Sequence, residues 1–132
     1  MGVKDVKMGK LVANGVVLLP HEYETVAYFL KLGYDIELIL ASHTSRMKRA
    51  DFWMDGVEWE SKVPFMNMRR SIERLFYEAT QQSGSLVFDL RKIKGSDMDA
   101  IRWLENRFSG TRRVRNLLII TKDGVLRRCK KR

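Results

Sequence analysis

Asp51-Phe52-Trp53-Met54-Asp55-Gly56-Val57-Glu58-Trp59-Glu60-Ser61-Lys62 is the stretch that decides the fold. Its apolar-rich halves read as two short strands joined at Asp55-Gly56, because an Asp-Gly pair accepts the left-handed backbone of a two-residue hairpin turn. Asp55 is therefore read as a turn residue and not as a ligand. Alternation along a strand puts Glu58, Glu60 and Lys62 on one face and Val57 and Trp59 on the other. The hairpin then carries Asp51, at the start of the first strand, toward Glu60 and Lys62 on the second. Two carboxylates beside a lysine suit a divalent metal ion and a phosphate, and without a cation they repel. An isolated acid-x-lysine on a strand is more often an exposed, ion-paired edge, so the surroundings carry the decision.

On the N-terminal side, His21 to Leu32 spaces Tyr23, Val26, Ala27 and Leu30 along one helical face, behind Pro20 and ahead of Gly33. Tyr34 to Leu40 reads as a largely buried strand, and residues 41–50 as a polar, basic surface loop. On the C-terminal side, Val63-Pro64 breaks the strand, and Met68 to Gln82 forms a helix with Ile72, Leu75, Phe76 and Ala79 as its buried stripe. Ser85 to Leu90 is a buried strand. Ser96 is read as the N-cap of a helix that reaches about Phe108, with Asp97 and Asp99 in its first turn. Leu117 to Thr121 is a core strand, turned at Lys122-Asp123-Gly124 into a last basic strand. Residues 1–15 read as a loose lead-in, Val16 to Leu19 as a short strand or as packing beneath the first helix, and residues 127–132 as a basic tail. The expected fold class is α/β (α+β): a three-layer domain with a mixed sheet, helices on both faces, and the order αβββαβ followed by a helix and two strands. A chain of 132 residues suits one such domain.

Composition narrows the partners. The formal charge is +9, and basic residues recur at Arg46, Lys48 and Arg49, at Arg69 and Arg70, at Arg91, Lys92 and Lys94, at Arg112 to Arg115, and in the tail. This spread favours a phosphate backbone over a membrane surface, which a single basic amphipathic helix would serve better. No apolar run approaches the roughly 18 to 20 residues of a bilayer span, and the first residues lack the apolar centre of a secretory signal. Cys129 is the single cysteine, which excludes an intrachain disulfide framework and a cysteine metal cage. A soluble protein of a reducing compartment is expected.

With these elements in order, the chain resembles the PD-(D/E)xK nuclease superfamily. Asp51 matches the acidic residue that opens one strand, and Glu60-Ser61-Lys62 the acid-x-lysine of the next, with Ala50 where a proline is usual. Glu24, followed by Ala27, matches the glutamate of the first helix, with Glu22 the weaker candidate. Within that superfamily the chain is most similar to the tRNA-nuclease domains at the C-terminus of CdiA-type contact-dependent growth-inhibition toxins. The resemblance is carried by Glu24 to Asp35, Met54 to Lys62, Ala79 to Ser83, Leu86 to Leu90 and Leu117 to Gly124.

The resemblance implies a metal-dependent endonuclease, with tRNA or another structured RNA as substrate. Asp51, Glu60 and Glu24 would hold Mg²⁺ or Mn²⁺, helped by the Ser61 carbonyl, and Lys62 would stand beside the attacking water. Gln82, continuing the face of Ile72, Phe76 and Ala79, would support the site. Arg46, Lys48, Arg49, Arg69 and Arg70 are candidate nucleic-acid contacts. A small acidic immunity protein is an expected partner, and the expected place of action is the cytoplasm of a cell reached from another. A DNA endonuclease of the same fold and a catalytically silent basic binding module are the alternatives. His21 and His43 are general bases by type, read as helix-start and loop residues. Trp53 and Trp59 are read as core before stacking groups.

Overall fold

The structure is a computed structural model that describes residues 7–40 and 49–132. Its elements are β1 (Leu11–Val12), α1 (Pro20–Lys31), β2 (Ile36–Leu38), β3 (Phe52–Met54), β4 (Val57–Lys62), α2 (Arg69–Thr80), β5 (Ser85–Asp89), α3 (Met98–Ser109), β6 (Asn116–Ile120) and β7 (Leu126–Arg128). All seven strands form one mixed sheet in the order β1-β2-β3-β4-β5-β6-β7. The β2–β3, β3–β4 and β6–β7 pairs are antiparallel, while β1–β2, β4–β5 and β5–β6 are parallel.

Strand alternation divides the interior into two cores. Leu86, Phe88, Leu117 and Ile119 pack with Ile72, Phe76 and Ala79 of α2 and with Ala100, Leu104 and Phe108 of α3. The opposite faces of the same strands send Val87, Leu118 and Ile120 against Val26, Phe29 and Leu30 of α1, joined by Ile36, Leu38, Phe52, Met54 and Trp59. Burial on both faces explains why β5 and β6 read as continuous apolar runs. The expected three-layer arrangement of helices on both faces of a mixed sheet is the one observed. Among the described residues no helix is long and apolar enough to cross a membrane.

The hairpin turn is built as its residues demand: Asp55 and Gly56 have φ of 53° and 71°. That turn fixes the register Phe52↔Trp59, Trp53↔Glu58 and Met54↔Val57. Trp59 is core, donating its indole N–H to the Met54 carbonyl at 3.0 Å, whereas Trp53 is 39% exposed and corrects its reading as core.

Two boundaries depart from expectation. The lead-in supplies the edge strand β1 and is pinned: the Gly9 amide donates to the Leu30 carbonyl at 2.8 Å, and the Lys10 amide to Asp35 Oδ1 at 2.8 Å. Val16 to Leu19, by contrast, follows the second of its two readings: it forms no strand, and Val16 and Leu18 pack against the α1 core. Asp97, one residue later than expected, is the N-cap of α3. The basic tail is docked as well, with Lys131 Nζ donating to the carbonyls of Phe108 (2.9 Å) and Thr111 at the end of α3, where the helix dipole favours a cation.

A Cβ on Gly9 would lie 1.7 Å from the Tyr34 carbonyl oxygen, so that side of the chain cannot accept a side chain without moving. Gly56 has open space around it, and its positive φ is the only obstacle. In urea unfolding, Gly56→Ala is expected to cost about 1 to 2 kcal/mol, the strain of one left-handed residue, and Gly9→Ala more.

Candidate active site

β4 is longer than its partner β3, and its last residues, Glu60 to Lys62, run past the start of that strand. The backbone amide of Ser61, beyond the last β3–β4 pair, donates to Asp51 Oδ2 at 2.8 Å. The same hydrogen bond holds Asp51 at the end of β4. Glu60 is only 3% exposed. Its Oε2 lies 3.5 Å from Lys62 Nζ, while its Oε1 is buried with no hydrogen-bond partner. A native protein rarely leaves such an oxygen unsatisfied, and a ligand is one ordinary reason.

Asp51, Phe52 and residues 60–63 form one wall of a cavity of about 560 Å³. The other walls are His21, Glu22 and Val26 of α1, the segment Gly15 to Leu18, and Leu38 to Leu40. Burial, and then the neighbouring Asp51 charge, push the Glu60 carboxyl up to about 8. Burial also raises Asp51, opposed by the Ser61 amide and increased by the charge of Glu22. Asp51 and Glu60 are near enough for the charge of Asp51 to disfavour ionisation of Glu60. They act as one titrating unit.

The structure brings together Asp51, Glu60 and Lys62, and it adds Glu22, not Glu24. Glu24 points away, its exposed carboxylate 2.9 Å from Lys92 Nζ. Glu22 sits two residues nearer the start of the helix and so on a different face, and its Oε1 accepts the Leu19 amide at 2.8 Å, a helix-start contact that also turns it toward the cavity. Among the described residues no three His, Cys, Asp or Glu side chains converge as a metal cluster. The set Asp51, Glu60 and Glu24 is thus not assembled. The donor set that remains, two carboxylates with one orphaned oxygen, still fits Mg²⁺, which characteristically takes one or two carboxylates together with substrate phosphates and water.

Gln82 lies at the wrong end of the sheet. Because β4 and β5 are parallel, α2 returns the chain to the start of β5. There Ser83 Oγ donates to the Glu58 carbonyl at 2.7 Å, near the start of β4 and two residues before Glu60. Arg49 is ion-paired with Glu58 at 2.6 Å, and Arg69 with Glu73 at 3.5 Å, while Arg70 is exposed. Arg46, Lys48 and His43 lie outside the described residues.

Sequence reasoning missed a buried group behind the cavity. Asp89, 2% exposed at the end of β5, accepts from Thr25 Oγ1 of α1 at 2.6 Å. Arg91 closes on Asp89 through Nε (3.0 Å) and Nη2 (2.8 Å), donates to the Glu24 carbonyl, and rests over the Tyr28 ring. This network clamps α1 onto the sheet. The available signal was an aspartate ending an apolar run with an arginine two residues on.

Residues 48–126 match the family described as contact-dependent growth inhibition CdiA C-terminal domain, and the chain belongs to that family. The matched segment starts just before Asp51 and contains the whole hairpin. A chain of the CdiA-CT/CdiI toxin and immunity complex from Burkholderia pseudomallei has the same fold, with a TM-score of 0.69 at 18% identity over 92% of this chain and 99% of that one. No curated protein matches the chain.

A carboxyl whose proton is held more tightly in the folded than in the unfolded chain favours folding below its ordinary value of 4.5. That contribution is lost as pH rises through about 8. In chelator, the stability of the protein is therefore expected to fall between pH 5 and 8. Glu60→Gln should flatten that slope and stabilise the chelated protein at pH 8 by on the order of a few kcal/mol. Denaturant melts of the two proteins across this range check it; parallel slopes would refute it.

Proposed function

We propose that the chain is a toxin domain that hydrolyses phosphodiester bonds of RNA, with tRNA as the favoured substrate, and that its catalytic apparatus is of the PD-(D/E)xK type. The observation that carries the reading is the convergence of Asp51, Glu60 and Lys62 on the wall of one open cavity, where Glu60 keeps a buried oxygen with no partner. A structural ion pair has no use for a second carboxylate there, because like charges gathered in a buried place raise each other's energy. The DNA endonuclease remains the second reading, since carboxylates, a metal ion and a lysine would act on the phosphate and would not read the sugar.

Asp51 and Glu60 would hold Mg²⁺ or Mn²⁺ through hard oxygen donors, with the Ser61 carbonyl as a further donor. When bound, such an ion supplies a water of lowered pKa and a polarised phosphate. Lys62 offers its ammonium to the charge that develops on the phosphoryl oxygens in the transition state. Glu22 orients the attacking water from α1. The Ser61–Asp51 hydrogen bond keeps the carboxylate in place before substrate arrives, so that little reorganisation accompanies the reaction. A partner that silences the domain would cover the mouth of this cavity and set its acidic groups against the basic surface around it, as suits a chain of charge +9. The toxin and immunity complex among solved structures of this fold supports such a partner.

The purified chain is to be incubated with total RNA and with plasmid DNA, in Mg²⁺, in Mn²⁺ and in chelator. Cleavage is expected only with metal, with selective loss of tRNA. Lys62→Ala should slow it by roughly 10²- to 10³-fold, the usual effect of removing one transition-state charge partner. Glu22→Gln should slow cleavage, and Glu24→Ala should leave it unchanged. Cutting that persists in chelator, or that proceeds at the parent rate in Lys62→Ala, would sink the mechanism, and selective loss of plasmid would move the reading to DNA.

A further inference from the structure

We propose that Phe65, with His21 beside it, forms a stacking platform for one nucleobase next to the phosphate held at Lys62; this rests on the reading of the cavity as a nuclease site. Phe65 stands two residues beyond Val63, which lines the cavity, and the residue is 47% exposed. The ring meets His21, another cavity residue, edge to face at 5.7 Å between centroids. Met66 and Met68 are half exposed on the same loop, so three large apolar side chains face solvent within four residues of a strongly basic protein. Exposed apolar surface of this kind marks a binding surface more often than an accident.

The loop is held rigidly. The Lys94 amide donates to the Phe65 carbonyl at 3.2 Å. Asn67 Nδ2 donates to the carbonyls of Lys94 (3.0 Å) and Ser96 (2.7 Å). Lys122 Nζ holds the far side of that second loop through the carbonyls of Ile93 and Gly95, both at 2.7 Å. An aromatic ring fixed in solvent costs little further ordering when a flat partner lies on it.

Charge decides the kind of flat partner. Lys62 lines the cavity three residues before Phe65, and the exposed Arg69 and Arg70 open the helix that follows the loop. Cations that follow a backbone, interleaved with an aromatic face, are how single-stranded nucleic acid is held, each base gaining from a ring irrespective of its identity. The platform therefore takes an unpaired nucleotide, as in a loop or a single-stranded end, and a base inside a duplex cannot reach it.

The test uses the whole chain in chelator, so that binding is read without cleavage, and a short single-stranded RNA containing 2-aminopurine. Anisotropy reports affinity, and quenching of the 2-aminopurine reports stacking. Phe65→Ala is expected to weaken binding by roughly 10-fold and to abolish the quenching. Phe65→Leu should behave like Phe65→Ala, Phe65→Trp should keep both signals, and an abasic RNA should bind the parent protein as weakly as intact RNA binds Phe65→Ala. Full affinity in Phe65→Leu would show an apolar contact without stacking and overturn the proposal. Unchanged binding by Phe65→Ala would overturn it too and leave the patch to a protein partner. RNA that is bound and stacked but stays uncut when Mg²⁺ or Mn²⁺ is added supports the platform while refuting hydrolysis.

Discussion

The left-handed turn at Asp55 and Gly56 is the constraint on which the site depends. Its two positive φ angles permit one register of β3 on β4, and that register places Asp51 alongside Glu60. A slip of one residue would move every side chain of the hairpin to the opposite face, taking Phe52, Met54 and Trp59 out of the α1 core. The core thus enforces the register from below while the turn enforces it from the end. The carboxylate pair, which by itself is repulsive, is carried by apolar burial that has no part in the chemistry. That division between supporting and reacting residues is what allows Glu60 to be buried beside Asp51 at all.

The site also sits where the sheet changes direction. β4 pairs antiparallel with β3 on one side and parallel with β5 on the other. An antiparallel neighbour can be joined by a two-residue turn, whereas a parallel one needs a crossover, here α2. The crossover leaves from the end of β4, so the chain there must turn out of the sheet, and β3 is too short to accompany it. On the β3 side the backbone at Ser61 is consequently without a strand partner, although it pairs with Val87 of β5 on the other, and Asp51 accepts from its free amide. The Asp89 network makes the same kind of correction one strand over, where Thr25 and Arg91 take up a carboxylate at the end of β5 and fix α1 against it. Two carboxylates at adjacent strand ends therefore have opposite fates. Asp89 is fully paired and structural, while Glu60 keeps an oxygen in reserve.

Most of this architecture was legible in the sequence because it is written in local signals. The Asp-Gly turn, the period-2 and helical patterns and the glycine stops located nine of the ten elements to within a few residues. β1 escaped because Leu11 and Val12 have no pattern of their own, and become a strand only by lying on Ile36 and Glu37. Gln82 was misjudged because helical periodicity tells which face a residue shares, but not which end of the sheet that face meets; the parallel crossover decides this. The exchange of Glu24 for Glu22 has a similar origin. Both lie on the first turns of α1, and the choice between them depends on the rotation of the helix, set by the buried Thr25–Asp89 contact across 64 residues of chain.

That last contact shows why acid-x-lysine motifs alone are weak guides and why their supports carry more information. The pairing of Glu60 with Lys62 follows from two residues on one strand face, and such pairs abound on exposed edges. Bringing Asp51 within reach of Glu60 needs a turn, a buried hairpin and a strand of unequal length. Bringing Glu22 to the same cavity needs a helix anchored by a buried ion pair on a different strand. Each requirement is independent of the others in sequence, and a chain with no use for the cavity would gain stability by replacing the unsatisfied carboxylate with an apolar side chain. The retention of Glu60 at a cost to folding is the strongest physical reason to regard this end of the sheet as functional.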